Sequence, residues 1–280
     1  MNYFKTVLLL VALTVLLMWV GGLVGGQYGA LMAFAIALVI NFVSYWYSDK
    51  IVLAMYKAKE LPKDSYPEIY RMVKDLASAA KMPVPRVYLA QLDSPNAFAT
   101  GRSPEQGVVC LTSGILGLLK EDELKGVIAH EMAHIKNRDT LIMTVCAALA
   151  SAIMMLAYMA RWAAMFGGFG GRSGRDRSGG VIGLLAVAIV APLAATLIQL
   201  AISRSREFGA DERGAGFAGS GKGLAAALIK LHNTSSRNRT ALSPQTAHLF
   251  IVNPFKADAI GNLFMTHPSV QKRVERLRVL

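Results

Sequence analysis

Between Lys5 and Asp49 the chain has no aspartate, glutamate, lysine or arginine. Its apolar residues come in long blocks instead of along faces, and about 20 of them in a row cross the hydrocarbon core of a bilayer. The run breaks at the Gly-rich stretch GGLVGGQYGA, which predicts two membrane-spanning helices, Thr6 to Val24 and Tyr28 to Tyr47. Trp19, Tyr45, Trp46 and Tyr47 lie toward the ends of these helices, where interfacial aromatics concentrate. A cleaved signal peptide explains the first run less well, because a second apolar run follows at once. Two more uncharged runs, Thr140 to Ala160 and Gly179 to Ser203, bring the expected number of spans to four. Pro192 in the last is tolerable within a bilayer, where neighbours satisfy the freed carbonyl.

Cysteine is scarce as well. Cys110 and Cys146 are the only two, which excludes a disulfide framework, and neither sits in a ligand pattern. No nucleic-acid motif occurs. The formal charge of +12 is uneven: Lys50 to Asp139 carries 13 basic and 11 acidic residues, Ser203 to Leu280 carries 12 and 5. This C-terminal excess fits anionic lipid headgroups better than DNA or RNA, and a solvated basic face needs no partner at all. Lys50, Lys57, Lys59 and Lys63 follow the second run while the GGQYGA loop has no charge, so the first hairpin keeps both ends in the cytoplasm. Parity then puts residues 50–139 and everything after Ser203 inside. The intervening loop disagrees, with Arg161, Arg172, Arg175 and Arg177 against Asp176 alone, contrary to the positive-inside tendency. Its Gly, Ser and Arg composition reads as a flexible connector.

The polar segments predict a small α+β module. A helix starts at Pro67 and Glu68, with Ile69, Met72, Val73 and Leu76 at helical spacing, and ends near Lys81. RVYLA and GVVCLT read as strands, and SPNAFATG as a short strand between turn residues. Ser113 to Leu119 reads as a helix, and Glu121, Asp122 and Glu123 open the next one at its positive end. After Ser203, a helix over Lys222 to His232, a loop NTSSRNRTALSPQ and a closing amphipathic helix in HPSVQKRVERLRVL complete the chain.

HEMAH, residues 130–134, carries the chemistry. Histidines four apart on a helix turn to one face, so both imidazoles of His130 and His134 reach one ion. Glu131 lies about 100° further round, close enough to act as a base on water held there without being a ligand. Purely structural histidines bonded to their neighbours are the weaker reading of this spacing. Zinc sites that do catalysis take three protein ligands and leave a fourth position for water. The nearest downstream pattern fails, since Asn137 stands where Gly belongs and Thr140 where a third His belongs. Glu207 and Asp211, four apart just beyond the last apolar run, are the best-placed carboxylates. Either Glu207 binds zinc while Asp211 accepts the outer N–H of a zinc-bound His, or Glu207 pairs with Arg204 or Arg206 on a solvated helix. Asp139, five after His134, either holds that ring in the same way or ends its helix. His267, before a proline, is a candidate oxyanion stabiliser or a structural residue; His232 and His248 carry no signal.

HEMAH with SRSREFGAD after two apolar runs, and PNAFATG upstream, resembles the membrane zinc metalloproteases of the HtpX type, within the M48 group that includes the CAAX prenyl proteases. The resemblance covers essentially the whole chain. It implies a multi-span α-helical membrane protein with a cytoplasmic α+β, gluzincin-like zinc metalloprotease domain. Residues 1–49 form two spans, 50–139 the catalytic part, 140–203 two further spans and 204–280 the helical part that supplies the third ligand. It further implies one Zn2+ per chain on His130, His134 and Glu207, with Glu131 as catalytic base and Arg204 and Asp211 matching the motif around Glu207. Asn96, Ala97, Phe98 and Ala99 match the strand beside which an extended substrate lies, held by main-chain bonds. The implied setting is the bacterial inner membrane, as a stress-response protease of membrane-protein quality control. Its substrates would be misfolded or damaged membrane proteins and unfolded polypeptides, and self-cleavage comes into scope.

Two competing functions remain on the residues alone. An intramembrane protease would bury its HExxH in an apolar span, whereas charges from Lys120 to Lys125 and Lys136 to Asp139 flank this one. A multi-span transporter or scaffold with a structural zinc would carry charges within its spans, and these have none.

Overall fold

The structure is a computed structural model that describes residues 2–142, 204–235 and 268–280. The expected third and fourth spans beyond Ile142, their Gly/Arg loop, most of the NTSSRNRTALSPQ loop, His248 and His267 lie outside the described residues. The described chain divides into two compact units, residues 3–44 and, separately, 45–142 with 204–235 and 268–280.

The first unit is a helical hairpin within α1, Asn2–Met55. Gly26 stands at φ +60°, a conformation costly for a residue with a side chain, and turns the chain at the Gly-rich break. The two arms are joined by Asn41, whose Nδ2 donates to Thr14 Oγ1 at 2.9 Å and to the Leu10 carbonyl at 3.4 Å. Phe4, Leu8, Val39 and Phe42 point outward from the hairpin, all more than half exposed. Among the described residues one stretch, the 22 residues Gly26–Tyr47, is long and apolar enough to cross a membrane; in the first arm Leu10–Trp19 forms a shorter apolar helix.

The second unit is built around a four-stranded sheet of β1, Lys59–Glu60, β2, Arg86–Ala90, β3, Ala97–Thr100, and β4, Val108–Thr112. The strand order is β1-β2-β4-β3, with β2 and β4 parallel and the outer pairings antiparallel. β4 is central and buried along its whole length, which its unbroken run VVCLT requires, since both of its faces are covered. Val109 and Leu111 face the main helical core, whereas Val108 and Cys110 face Val52, Leu53 and Tyr56 at the end of α1. Burial pushes the Cys110 thiol up to about 12, so it is an inert core residue.

β3 is an edge strand, and its register decides which of its main-chain groups are available. Thr112 N donates to the Asn96 carbonyl, so that residue pair is hydrogen-bonded. By antiparallel alternation Phe98 and Thr100 also bond to β4, which leaves the N–H and C=O of Ala97 and Ala99 directed away from the sheet. Thr112 Oγ1 holds the entry to this strand, accepting from Asn96 N at 2.9 Å while also capping α3, Ser113–Leu118, through Ile115 N.

Helix α2, Pro67–Ala79, packs Ile69, Val73 and Leu76 into the core, and α4, Glu121–Asn137, packs Val127, Ile128 and Met132. α5, Arg204–Ala218, and α6, Lys222–Ser235, pack on α4, and α7, Val270–Leu277, packs on α6 and α5. β1 has no counterpart in the sequence reading, because Lys-Glu carries no strand propensity and only its pairing with Tyr88 and Leu89 makes it a strand.

Glu123 ties α4 to α6. Its carboxylate accepts from Lys120 N at 2.8 Å, covering an open N–H at the helix start, and from Lys230 Nζ at 2.7 Å. Burial pushes the Glu123 pKa up, but these two partners outweigh it and hold the group below the usual carboxylate range. The stabilisation is therefore present above the ordinary glutamate value and is lost as pH falls through the depressed one. Glu123→Gln is expected to cost about 1 kcal/mol near neutrality. Thermal melts in detergent should show that deficit at pH 7 and show it shrinking in acid; an equal deficit at both pH values would contradict the pairing.

Candidate metal centre

The sequence places His130 and His134 one turn apart on α4, a helix wholly buried through this region. Their Nε2 atoms lie 3.2 Å apart. Helix α5 crosses α4 closely because Gly214 has no side chain: a Cβ there would lie 2.9 Å from His130 N and 3.0 Å from its Cα. That contact lets Glu207, two turns earlier on α5, face both rings. Glu207 Oε1 lies 3.5 Å from His134 Nε2, and Oε2 lies 3.7 Å from His130 Nε2. Tetrahedral bonds of about 2.0–2.1 Å to a zinc ion put neighbouring ligand atoms ~3.3–3.4 Å apart. The three side chains therefore fit such an ion, and their donor atoms all lie within 4.8 Å of one another.

Each histidine is held from behind. Asp211, one turn after Glu207, places Oδ1 3.0 Å from His130 Nδ1. Asp139 Oδ2 lies 3.2 Å from His134 Nδ1. Asp139 reaches it because Arg138 ends α4 in the left-handed region, φ 60° and ψ 27°, and bends the chain before helix resumes at Asp139. Thr140 fixes this segment by donating to the Gly101 carbonyl at 2.8 Å. A carboxylate on each Nδ1 selects the tautomer that leaves Nε2 free to bind a metal.

The electrostatics separate the groups. Burial holds His130 below its ordinary value despite the Asp211 carboxylate 3.0 Å from its Nδ1. Burial acts the same way on His134, but the Asp139 hydrogen bond and the Glu207 and Glu131 charges outweigh it and push the ring up to about 9. Glu131 is driven up to about 7, by burial first and by the Glu207 charge, against the pull of His134 and of a hydrogen bond from the Ala99 backbone. Both values belong to the metal-free site, and a dication bound between these groups would draw both down. The Ala99 hydrogen bond also puts Glu131 against the outward edge of β3, so base and strand edge are neighbours.

Of the four expected substrate-strand residues, Ala97 and Ala99 face the core that α4 shares, whereas Phe98 turns to the other face of the sheet against Tyr56; all four are buried, Asn96 at 1 % exposure. Arg204 opens α5, with its side chain outside the described residues, as is His267. Glu207, at 2 % exposure, is no member of a solvated ion pair. One residue of this cluster is absent from the sequence reading. Arg273 on α7 is 1 % exposed, donates to Asp211 through Nε at 2.9 Å and Nη2 at 2.7 Å, and lies 3.4 Å from Glu207 Oε2. A signal for it exists: Val270, Arg273, Val274 and Leu277 form the i, i+3, i+4, i+7 stripe that α7 turns to the core, so Arg273 is a charge at an apolar position.

Comparison with known proteins agrees with this geometry. Residues 63–280 match the profile of Peptidase family M48. Among curated proteins, the Protease HtpX homolog of Syntrophobacter fumaroxidans is 53% identical over 276 residues, covering 98% of each chain. That of Pyrococcus furiosus is 52% identical over 98% of this chain and 94% of its own, and that of Aquifex aeolicus 50% identical over 94% and 87%. Among solved structures, the crystal structure of S. mikatae Ste24p superposes with a TM-score of 0.51 at 19% identity, over 88% of this chain and 57% of that one, a likeness of fold. With the family match spanning residues 63–280, from α2 through β2, β3 and β4 to the last helix, the chain belongs to peptidase family M48 and is a metalloendopeptidase.

Proposed function

We propose that the chain is a zinc-dependent endopeptidase embedded in the plasma membrane by several spans, which cuts membrane proteins, damaged or misfolded ones above all, on the cytoplasmic side. The observation that carries the proposal is the buried group of His130, His134 and Glu207 with Glu131 beside it. In this reading His130, His134 and Glu207 hold one Zn2+, which when bound polarises a peptide carbonyl and acidifies water. Asp211 and Asp139 keep the two rings in register. Glu131 takes the proton of the attacking water and gives it to the departing amine. An extended substrate lies beside β3, whose Ala97 and Ala99 main-chain groups are directed away from β4, the Ala99 N–H being held by Glu131 until substrate arrives. This mode reads backbone more than side chains, which suits a protease that must accept many unfolded sequences.

Bilayer anchoring is supported by the outward apolar side chains of the hairpin and by the length of Gly26–Tyr47. The cytoplasmic placement rests on Lys50, Lys57, Lys59 and Lys63 just beyond it. Transport or scaffolding with a structural zinc is set aside by membership of a peptidase family. Sealed vesicles test the placement: added casein should be cut by inside-out vesicles, with cleavage stopped by a zinc chelator, and not by right-side-out ones. Cleavage confined to right-side-out vesicles would overturn the orientation.

A further inference from the structure

We infer that Arg273 is a positioning residue for the metal site: from the last helix of the chain it locks Asp211 against His130 and so sets the affinity of the His130, His134 and Glu207 group for a divalent cation. The inference rests on the metal-site reading above and adds to it a residue outside the HEMAH and Glu207 motifs.

Its guanidinium makes a fork to Asp211, Nε to Oδ2 at 2.9 Å and Nη2 to Oδ1 at 2.7 Å, while the same Oδ1 lies 3.0 Å from His130 Nδ1. Nη1 lies 3.4 Å from Glu207 Oε2, and Nη2 lies 3.4 Å from His130 Nε2. Arg273, Asp211 and Glu207 are each no more than 2 % exposed. A two-point fork fixes the plane of the Asp211 carboxylate as well as its place, which a point charge cannot do. The carboxylate plane in turn fixes the His130 ring and the direction of its Nε2.

Two effects of Arg273 on a bound cation oppose each other. Its positive charge, so close to Glu207 and His130, repels a divalent ion and by itself weakens binding. Its fork orients the ligand that binds the ion. Charge alone therefore predicts that a neutral residue at 273 tightens metal binding, and positioning predicts that it loosens it. The geometry favours positioning, because Asp211 and Glu207 offset the guanidinium charge locally, whereas among the described residues Arg273 alone makes a two-point fork to the Asp211 carboxylate. A structural consequence follows: α7 spans Val270–Leu277, so the metal site is complete only when the C-terminal helix has docked.

The test measures zinc affinity by chelator competition and the visible spectrum of the Co2+-loaded protein, using the full chain in detergent. Wild type, Arg273→Met, Arg273→Lys, Asp211→Asn and the Asp211→Asn/Arg273→Met double variant are compared, with melts in chelator reporting the fold. Arg273→Met is expected to weaken zinc about 10–100-fold and to shift the cobalt bands. Arg273→Lys should also weaken it, since Lys keeps the charge and loses the fork. Because removing one partner of a buried pair can unfold a protein, the uncharged double variant is the safeguard. It should bind no more weakly than Asp211→Asn alone, showing that Arg273 acts through Asp211. Zinc affinity within threefold of wild type, or tighter, in folded Arg273→Met or Arg273→Lys, or a further loss in the double variant beyond Asp211→Asn, would overturn the inference. Failure of the metal reading looks different: wild type would bind no zinc, or Glu207→Gln would bind it as wild type does.

Discussion

Glu131→Gln protein, purified in detergent, is expected to keep its fold and about one zinc per chain while peptide cleavage falls by about 10²–10⁴-fold or more. The amide is nearly isosteric with the carboxyl, and it can still accept the Ala99 N–H that Glu131 accepts. It cannot take up a proton. Because Glu131 is not one of the three side chains whose donor atoms converge, metal content should not follow activity. Metal analysis beside a casein digestion assay separates the two readouts. Substantial cleavage by Glu131→Gln protein would remove Glu131 from the chemistry, and loss of zinc would make it part of the metal site instead.

Glu207→Gln should do the reverse of that separation and abolish both together. The substitution keeps shape and removes charge, so the third ligand becomes a neutral amide oxygen, a poor partner for a dication. It also leaves the Arg273 guanidinium, 3.4 Å from Glu207 Oε2, facing the ion with less to offset it. Zinc affinity should fall by about 10²-fold or more, beyond what loss of a supporting group such as Asp211 costs. Cleavage should fall with occupancy and return in part when zinc is raised. A Glu207→Gln protein with wild-type zinc content would show that the carboxylate at 207 belongs to an ion pair with Arg273 and nothing more.

These residues differ in how far the sequence alone exposes them. The pairing of His130 with His134 is legible because helical geometry fixes it locally: a four-residue spacing on an amphipathic helix leaves no choice of face. Glu207 is ambiguous on spacing, since a carboxylate near Arg204 and Arg206 looks the same whether its helix is solvated or buried. The missing information is the crossing of α5 over α4 at Gly214, a tertiary contact between residues 84 apart in sequence (214 less 130). Asp139 is undecided in the sequence because its role depends on a left-handed Arg138, a conformation that nothing in the residue type announces. Arg273 hides among the basic residues of the C-terminal segment and stands out only once α7 is seen to turn its 270, 273, 274, 277 stripe inward.

The fold divides along the same line. The strands β2 and β4 and the helix α2 follow from composition and period, with limits within a residue or two of the sequence expectations; α4 starts at its acidic residues as expected, but a left-handed Arg138 ends it at Asn137 where the sequence reads as one helix continuing into the apolar run. β1 depends entirely on the partner strand. The hairpin turn falls at Gly26, inside the predicted Gly-rich break, while a spanning length is reached among the described residues only by Gly26–Tyr47. Periodicity thus gives the local elements, and the packing of α5 on α4, with α7 behind α5, turns a two-histidine motif into a site.

The central claim is that His130, His134 and Glu207 together hold one zinc ion with room for water. Zinc K-edge X-ray absorption on the purified chain tests it most directly. The expected first shell is nitrogen and oxygen only, with two imidazoles and at least one carboxylate oxygen at about 2.0–2.2 Å, and an imidazole signature that halves in His134→Ala protein retaining residual metal. Sulfur in the first shell, or a spectrum unchanged by His134→Ala and by Glu207→Gln, would contradict it.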